Sequence, residues 1–400
     1  MRAFAIQLAA ALFGGVLLWT APATAASLPV PRGPYAIGVT AFEIIDPGRR
    51  DSFAPRPGIA RDFMVRVWYP ARPSEGAVPV TLWTPAISAA LAAAFHLPAD
   101  ALATVGATRT HSFADAAPDR SRAPYPLLIF SHGFVEGFSA QNTVQMEELA
   151  SDGYVVASID HPYDGLLVQY PSGRSVTFYA RDDFASDMKA FGTVVETEMK
   201  ATDPAAKRAA FVNAVQDSYL GASVPVWVAD TNDTVTFLES SERLGPLSGM
   251  IDAQRIGVFG MSFGGAVAER VCTVEAWCKA AVNIDGLAVG SLPDDPIRVP
   301  ILFFQNSRDA GLNDPVFSTA RGPAYMVSVA GSTHLNYTDL SVFPSVFPSL
   351  LGTIDGATME EIMNAYILAF FDRYLKGIPT NALSGASRFQ AVTIQTRNGP

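Results

Sequence analysis

The stretch Arg255-Ile-Gly-Val-Phe-Gly-Met-Ser-Phe-Gly-Gly-Ala-Val-Ala268 sets the reading of the whole chain. Its first half is a short apolar run, as expected of a strand buried on both faces. Its last residues read as the start of a helix. Between them lies Gly260-Met-Ser-Phe-Gly264, a G-x-S-x-G turn in a strand–turn–helix setting. Such a turn is sharp and strained. Glycines two residues before and two after the serine let the strand and helix backbones approach. The turn lifts the Ser262 Oγ into the open and aims backbone N–H groups at the same space. An ordinary serine in a glycine-rich turn would give the same pentapeptide, but the flanking strand and helix favour a nucleophile.

Working outward, residues 127–130, 154–159, 280–284, 299–304 and 324–329 read as further buried strands, and 140–151, 226–241 and 359–375 as helices. Residues 35–45 and 63–69 also read as strands, the second alternating in polarity and ending at Pro70. The Pro-, Gly- and charge-rich stretch 46–61 between them reads as a loop. Strands alternating with helices imply an α/β fold, a mostly parallel central sheet flanked by helices, with sites at the carboxyl ends of strands. With the serine turn this is the pattern of an α/β-hydrolase. Two segments, 86–113 (Ala- and Leu-rich in its first part) and the polar 175–220, read as cap-like insertions.

A serine hydroxyl needs a base, and the chain has five histidines. His96 lies in the apolar insertion and His111 in a polar loop. His132 belongs to the oxyanion motif described below. His161, in Asp160-His-Pro-Tyr163, ends a strand and reads as a loop-packing residue. His334, in Gly331-Ser-Thr-His-Leu-Asn-Tyr337, follows the last strand of the buried series and lies C-terminal to the serine, as this fold requires of the base. The acid that fixes the tautomer of the base is Asp285, after the strand that follows the serine turn, or Asp309, after the next strand. The residues alone leave that choice open. The oxyanion amides are expected from Phe263, directly after the serine, and from Phe134 in Ser131-His-Gly-Phe-Val-Glu-Gly137. There Gly133 allows the turn and His132 orients the loop.

Composition excludes other classes. Of 400 residues 49% are apolar, enough for a large core, and the net charge is −10 with no run of basic residues longer than two. An acidic chain lacks the electrostatic footprint of a nucleic-acid or anionic-membrane protein. No P-loop or dinucleotide fingerprint is present, and the expected chemistry needs neither metal nor cofactor. Arg2, the apolar run that follows it and Ala23-Thr-Ala25 have the order of a signal peptide over 1–25. The expectation is therefore an exported periplasmic or extracellular protein with one domain over 26–400; an uncleaved anchor is the other reading of the same run. Cys272 and Cys278 are a poor zinc site. They form either a local disulfide, favoured by export, or two buried thiols.

Together these residues resemble the platelet-activating-factor acetylhydrolase family, its secreted, plasma-type group, over about residues 35–375. Val65-Arg-Val-Trp-Tyr-Pro70 with Leu82-Trp-Thr-Pro85 is similar to that family's first strands. Pro126-Leu-Leu-Ile-Phe-Ser-His-Gly133 and Leu149-Ala-Ser-Asp-Gly-Tyr-Val-Val-Ala-Ser-Ile-Asp-His161 resemble its oxyanion segment and the next strand. Gly260-Met-Ser-Phe-Gly-Gly-Ala266 and Gly331-Ser-Thr-His-Leu-Asn-Tyr-Thr-Asp339 resemble its serine and histidine segments. The resemblance implies Asp285 as the acid, and short acyl esters as substrates, including acetylated or oxidised phospholipids. The stretch 175–220 departs from the family pattern and 86–113 follows it only loosely, so substrate identity transfers least. A general carboxylesterase or polyester hydrolase is the alternative enzyme, and a non-catalytic binding protein of the same fold the alternative from another class. The apolar stretches 86–105 and 342–351 suit either transient contact with a lipid interface or packing as a cap.

Overall fold

The computed structural model describes residues 27–398 apart from 181–182, 201–202, 204–208, 210–217, 241, 289–294, 308–310 and 312. The expected signal peptide 1–25, the alternative acid Asp309 and most of the later part of the second insertion lie outside the described residues. The strands, in chain order, are β1 (Ala36–Arg50), β2 (Ala60–Arg72), β3 (Ser112–Ala114), β4 (Ala117–Pro118), β5 (Tyr125–Ser131), β6 (Val155–Asp160), β7 (Leu167–Gln169), β8 (Ser175–Thr177), β9 (Ile251–Met261), β10 (Cys278–Ile284), β11 (Ile301–Asn306), β12 (Ala324–Val329) and β13 (Val392–Arg397). The helices are α1 (Pro85–Ala94), α2 (Ala103–Gly106), α3 (Thr143–Ser151), α4 (Phe184–Lys200), α5 (Tyr219–Glu239), α6 (Phe263–Val274), α7 (Asp314–Thr319) and α8 (Gly356–Phe371).

One sheet runs β13-β12-β11-β10-β9-β5-β6-β2-β1-β3, with β4 beside β2. Its centre, from β6 through β5, β9, β10 and β11 to β12, is parallel throughout. The flanks β1–β2, β2–β6 and β12–β13 are antiparallel. The continuous apolar run of β5 is explained by its two faces. Leu127 and Ile129 join a cluster with Trp227 of α5 and Val267 of α6, whereas Leu128 and Phe130 join Met146 of α3 and Ile362 of α8. Helices therefore cover both faces, the layering of an α/β-hydrolase. The strand order reverses at β5, which lies between β6 and β9. At such a reversal the segments leaving neighbouring strands diverge and open a crevice, here bounded by the ends of β5 and β9.

Several elements differ from the sequence reading. The β1–β2 ladder continues through Asp46 opposite Arg61 and Arg50 opposite Ala60, so the loop shrinks to 51–59. The charges that suggested a loop are partly buried: Arg61 is fully enclosed and paired with Asp51 and Asp230. Helix α5 begins at Tyr219 rather than at 226, capped by Ser218 and carrying Pro225 inside it. The hairpin β7–β8 and the edge strand β13 were not anticipated. The apolar stretches 86–105 and 342–351 pack on one another: Ile87, Leu91, Leu102 and Val105 share a buried cluster with Phe343, Phe347 and Leu350. Among the described residues, no helix is long and apolar enough to cross a membrane.

Candidate active site

Ser262 is the N-cap of α6 and sits at φ 56°, ψ −123°, a conformation that L-residues rarely adopt. The two flanking glycines make the turn possible. A Cβ on Gly260 would lie 2.2 Å from the Gly264 backbone, and one on Gly264 would lie 1.9 Å from the Ser131 carbonyl oxygen. The turn is thus wedged between α6 and the end of β5. The Ser262 amide donates to the Ile284 carbonyl at 2.8 Å, which ties the turn to the end of β10.

The histidine and the acid converge on it from the next strand ends. His334 opens a short 3-10 turn, His334–Tyr337, after β12. Asn336 braces this turn, its Oδ1 accepting from the amides of Thr333 (2.9 Å) and Gly352 (2.7 Å). His334 Nε2 lies 2.9 Å from Ser262 Oγ, and its Nδ1 lies 2.6 Å from Asp285 Oδ2. Asp285 follows β10 with φ 53°. Its other oxygen accepts from the Asn306 amide at 2.6 Å, and Asn306 Nδ2 donates to both oxygens at 3.1 and 2.8 Å. Burial raises the Asp285 pKa, opposed by hydrogen bonding and charge from His334 and by the Asn306 donors. The side chain of His334 is 28% exposed and that of Asp285 3%. A reacting molecule can therefore approach only from the serine–histidine side. The structure thus brings together Ser262, His334 and Asp285, three of the residues singled out from sequence.

The loop after β5 lies against the serine. A Cβ on Gly133 would meet the Ser262 Cβ at 3.5 Å, an ordinary contact, so this glycine keeps space open beside the serine rather than permitting a tight turn. The tight approach belongs to Gly137, whose Cβ would lie 2.0 Å from the Gly133 carbonyl oxygen. The amides around Phe134 are occupied. Gly133 donates to Gln141 Oε1 at 2.8 Å, Val135 to the Asp164 carbonyl at 2.8 Å, and Glu136 to the Phe134 carbonyl at 2.9 Å. For the Phe134 amide no acceptor is found among the described residues. Phe263 is the first residue of α6, so its amide has no carbonyl one turn back. The rings of these two residues are 5.4 Å apart.

The remaining histidines lie apart from this centre. His96 is exposed at the end of α1, and His111 reaches the Leu28 carbonyl at 3.3 Å. His132 and His161 are fully buried, and burial pushes their pKa values down to about 3 and about 4. His161 lies between Asp230 (Nδ1 to Oδ2, 2.8 Å) and Ser131 (Nε2 to Oγ, 3.2 Å), a second Ser-His-Asp chain. All three of its members are enclosed, so no substrate can reach Ser131. Asp230 also holds Arg61, at 3.1 and 2.5 Å, and Arg49, at 2.7 Å. Despite burial, the Arg61 guanidinium and the hydrogen bond from His161 keep its pKa far below the usual carboxylate range. Gln141, Trp227, Asp230 and Arg61 are supporting residues that the sequence reading missed. Their partners lie far along the chain, Arg61 and Asp230 being 169 residues apart, and no local pattern marks them. Cys272 and Cys278 form a disulfide with Cα atoms 5.1 Å apart, which links the end of α6 to the start of β10.

A family model described as platelet-activating factor acetylhydrolase, isoform II, matches residues 22–381. The chain belongs to this family. Among the acetylhydrolase relatives, the platelet-activating factor acetylhydrolase of Cavia porcellus is 22% identical over 365 residues, covering 87% of this chain and 78% of its own. That of Canis lupus familiaris is 24% identical over 274 residues, 64% of this chain and 59% of its own, so the match spans about three fifths of that relative. Among solved structures, a ferulic acid esterase from Streptomyces cinnamoneus superposes with a TM-score of 0.71 at 26% identity, covering 93% of this chain and 99% of that one. Acetylhydrolase family and esterase neighbour together place the chain among the carboxylic-ester hydrolases of α/β-hydrolase fold.

Proposed function

We propose that the chain is an exported serine esterase that cleaves short acyl esters through an acyl-serine intermediate. The observation that carries this reading is His334, hydrogen-bonded to Ser262 Oγ through one ring nitrogen and to the buried Asp285 through the other. In the proposed reaction His334 takes the Ser262 proton as Oγ attacks the ester carbonyl. Asp285 stabilises the imidazolium that forms. The oxyanion meets the amides of Phe134 and Phe263, each such donor being worth on the order of 3 kcal/mol. The alcohol leaves with the proton from His334. Water, activated by the same histidine, then releases the acid and frees the serine. The residues doing this lie in one domain over 26–400, and the Cys272–Cys278 disulfide supports an oxidising destination outside the cytoplasm.

The substrate reading follows the family: esters of acetyl to butyryl length, with acetylated or oxidised phospholipids the natural candidates. A second reading, a general carboxylesterase without lipid preference, is favoured by one observation. The ring of Phe134 stands among aromatic neighbours, with Phe178 at 5.9 Å, Phe184 at 6.3 Å and Tyr219 at 5.5 Å between centroids. Tyr219 and Phe184 are buried behind it, so the partly exposed Phe134 ring is the aromatic face next to the serine, and such a face suits an aromatic acyl group as well as an alkyl chain. The two readings separate in one assay: p-nitrophenyl esters from acetyl to palmitoyl beside methyl ferulate and an acetylated phospholipid, each across its micellar transition. Highest turnover on short acyl chains with a rise at micelle formation supports the phospholipid reading. Preference for the ferulate, with a smooth hyperbola for the phospholipid, supports the second. No turnover of any ester refutes both.

A further inference from the structure

The peptide joining Gly133 to Phe134 carries the amide assigned above to the oxyanion. In a trans peptide the N–H and C=O point in opposite directions. Whatever holds the Gly133 carbonyl therefore also aims the Phe134 amide. That carbonyl oxygen lies 2.7 Å from His132 Nδ1. Resting on the reading of Ser262 as nucleophile, we infer that His132 is a positioning residue of the oxyanion hole: its neutral Nδ1–H form grips the Gly133 carbonyl and so points the Phe134 amide at the reacting ester.

The hydrogen-bond chain behind His132 permits only this form. Its Nε2 lies 3.1 Å from the His161 amide, which is a donor, so Nε2 is the acceptor and the proton sits on Nδ1. A proton on Nε2 would set donor against donor in a fully buried place. His161 is itself held in one orientation. Its Nδ1–H donates to Asp230 Oδ2, its Nε2 accepts from the Ser131 hydroxyl, and its ring stacks on Trp227 with centroids 3.7 Å apart. Trp227 in turn donates from Nε1 to Asp164 Oδ2 at 2.9 Å, while the Asp164 carbonyl holds the Val135 amide. Trp227 also touches the Phe263 ring, at 4.8 Å, beside the second oxyanion donor. Helix α5 thus braces both sides of the hole through Trp227 and Asp230. A hydrogen bond to the Gly133 carbonyl also polarises the peptide, which strengthens its N–H as a donor. The absence of a side chain at Gly137 allows this arrangement, since a Cβ there would lie 2.0 Å from the same oxygen.

Two substitutions split the two bonds of His132. Asparagine places an amide nitrogen near the position of Nδ1 and keeps the grip on Gly133, while losing the contact to His161. Glutamine reaches the position of Nε2 and keeps the His161 contact, while losing the grip. With p-nitrophenyl acetate, His132→Asn should keep kcat within a few-fold of wild type. His132→Gln should lower kcat on the order of 100-fold with little change in KM. It should weaken a trifluoromethyl ketone, which mimics the tetrahedral oxyanion, by a comparable factor. Fluorophosphonate labelling of the unmodified protein at Ser262 is the control. Unlabelled and inactive wild type would remove the reading of the site, and this inference with it. Labelled, active wild type with full kcat in His132→Gln, or with equal losses in both variants, would leave the reading standing and overturn the inference, since His132 would then only fill space.

Discussion

At Ser262 the chain holds a residue in a conformation that costs about 1–3 kcal/mol, and the surroundings leave it no alternative. The carbonyl oxygen of Ser131 stands 1.9 Å from where a Gly264 Cβ would be. Gly264→Ala should therefore destabilise the fold by at least about 1–3 kcal/mol, read as a lowered urea midpoint; an unchanged midpoint would mean that the elbow is looser than its geometry. At Asp285 the expectation concerns chemistry. Asp285→Asn keeps the size of the side chain but removes the acceptor that fixes the His334 Nδ1 proton, at 2.6 Å. A loss in kcat on the order of 10⁴-fold is expected, without a comparable change in KM. Retention of more than a tenth of the activity would point to another acid. From sequence alone Asp285 and Asp309 both followed core strands and could not be separated. The family resemblance favoured Asp285, and among the described residues, which do not include Asp309, Asp285 is hydrogen-bonded to His334 at 2.6 Å. His161 illustrates the converse: its position at a strand end resembled that of a base, yet the features that define it, full burial and partners on α5, are tertiary and leave no local trace.

Among elements, the packing of α3 against α8 encloses carboxylates. Glu360 on α8 is buried and accepts from Gln145 Nε2 at 2.5 Å, and burial together with the charge of Asp339 raises its pKa well above the usual range. Asp339 is pushed up to about 8 by burial and Asp164 to about 6. For each of these groups the folded pKa exceeds the unfolded one, so the folded state holds more protons. The stability they allow is complete below the ordinary carboxylate range and is lost as pH rises through their folded values. Wild-type melting temperature should thus fall between pH 5 and pH 9, and Glu360→Gln should reduce that fall. The same slope in both proteins would show that Glu360 is not the protonated group. The legibility of the elements followed similar lines. Central strands were readable because both faces are buried, which leaves an unbroken apolar run such as 127–130. The edge strand β13 was missed because Val392 and Ile394 alternate with polar residues over only a few positions near the C-terminus. The sequence does not mark the full β1–β2 ribbon, because Arg49 and Arg61 look like surface residues until Asp230, on a helix far along the chain, supplies their partner.

For the whole molecule, the reversal of strand order at β5 explains why the oxyanion loop and the serine turn are neighbours, although 262 and 134 are far apart in sequence. The layered α/β architecture was legible from strand–helix alternation. The surroundings of Phe134 were not, because Phe178, Phe184 and Tyr219 reach its ring through tertiary packing that no local pattern marks. The disulfide Cys272–Cys278 closes a short loop beneath this framework. Loop-closure arithmetic gives it about 2 kcal/mol, so the double substitution to serine should lower stability by roughly that amount and leave kcat nearly unchanged. Loss of activity in a folded double variant would instead tie the bridge to the site. The most direct measurement of the central claim is intact-mass analysis of the folded protein after reaction with a fluorophosphonate, with Ser262→Ala in parallel and hydrolysis of p-nitrophenyl acetate followed in both. A single adduct mapped to Ser262, absent together with the hydrolysis in the alanine variant, is expected. An adduct elsewhere, or hydrolysis that survives in Ser262→Ala, would contradict the account.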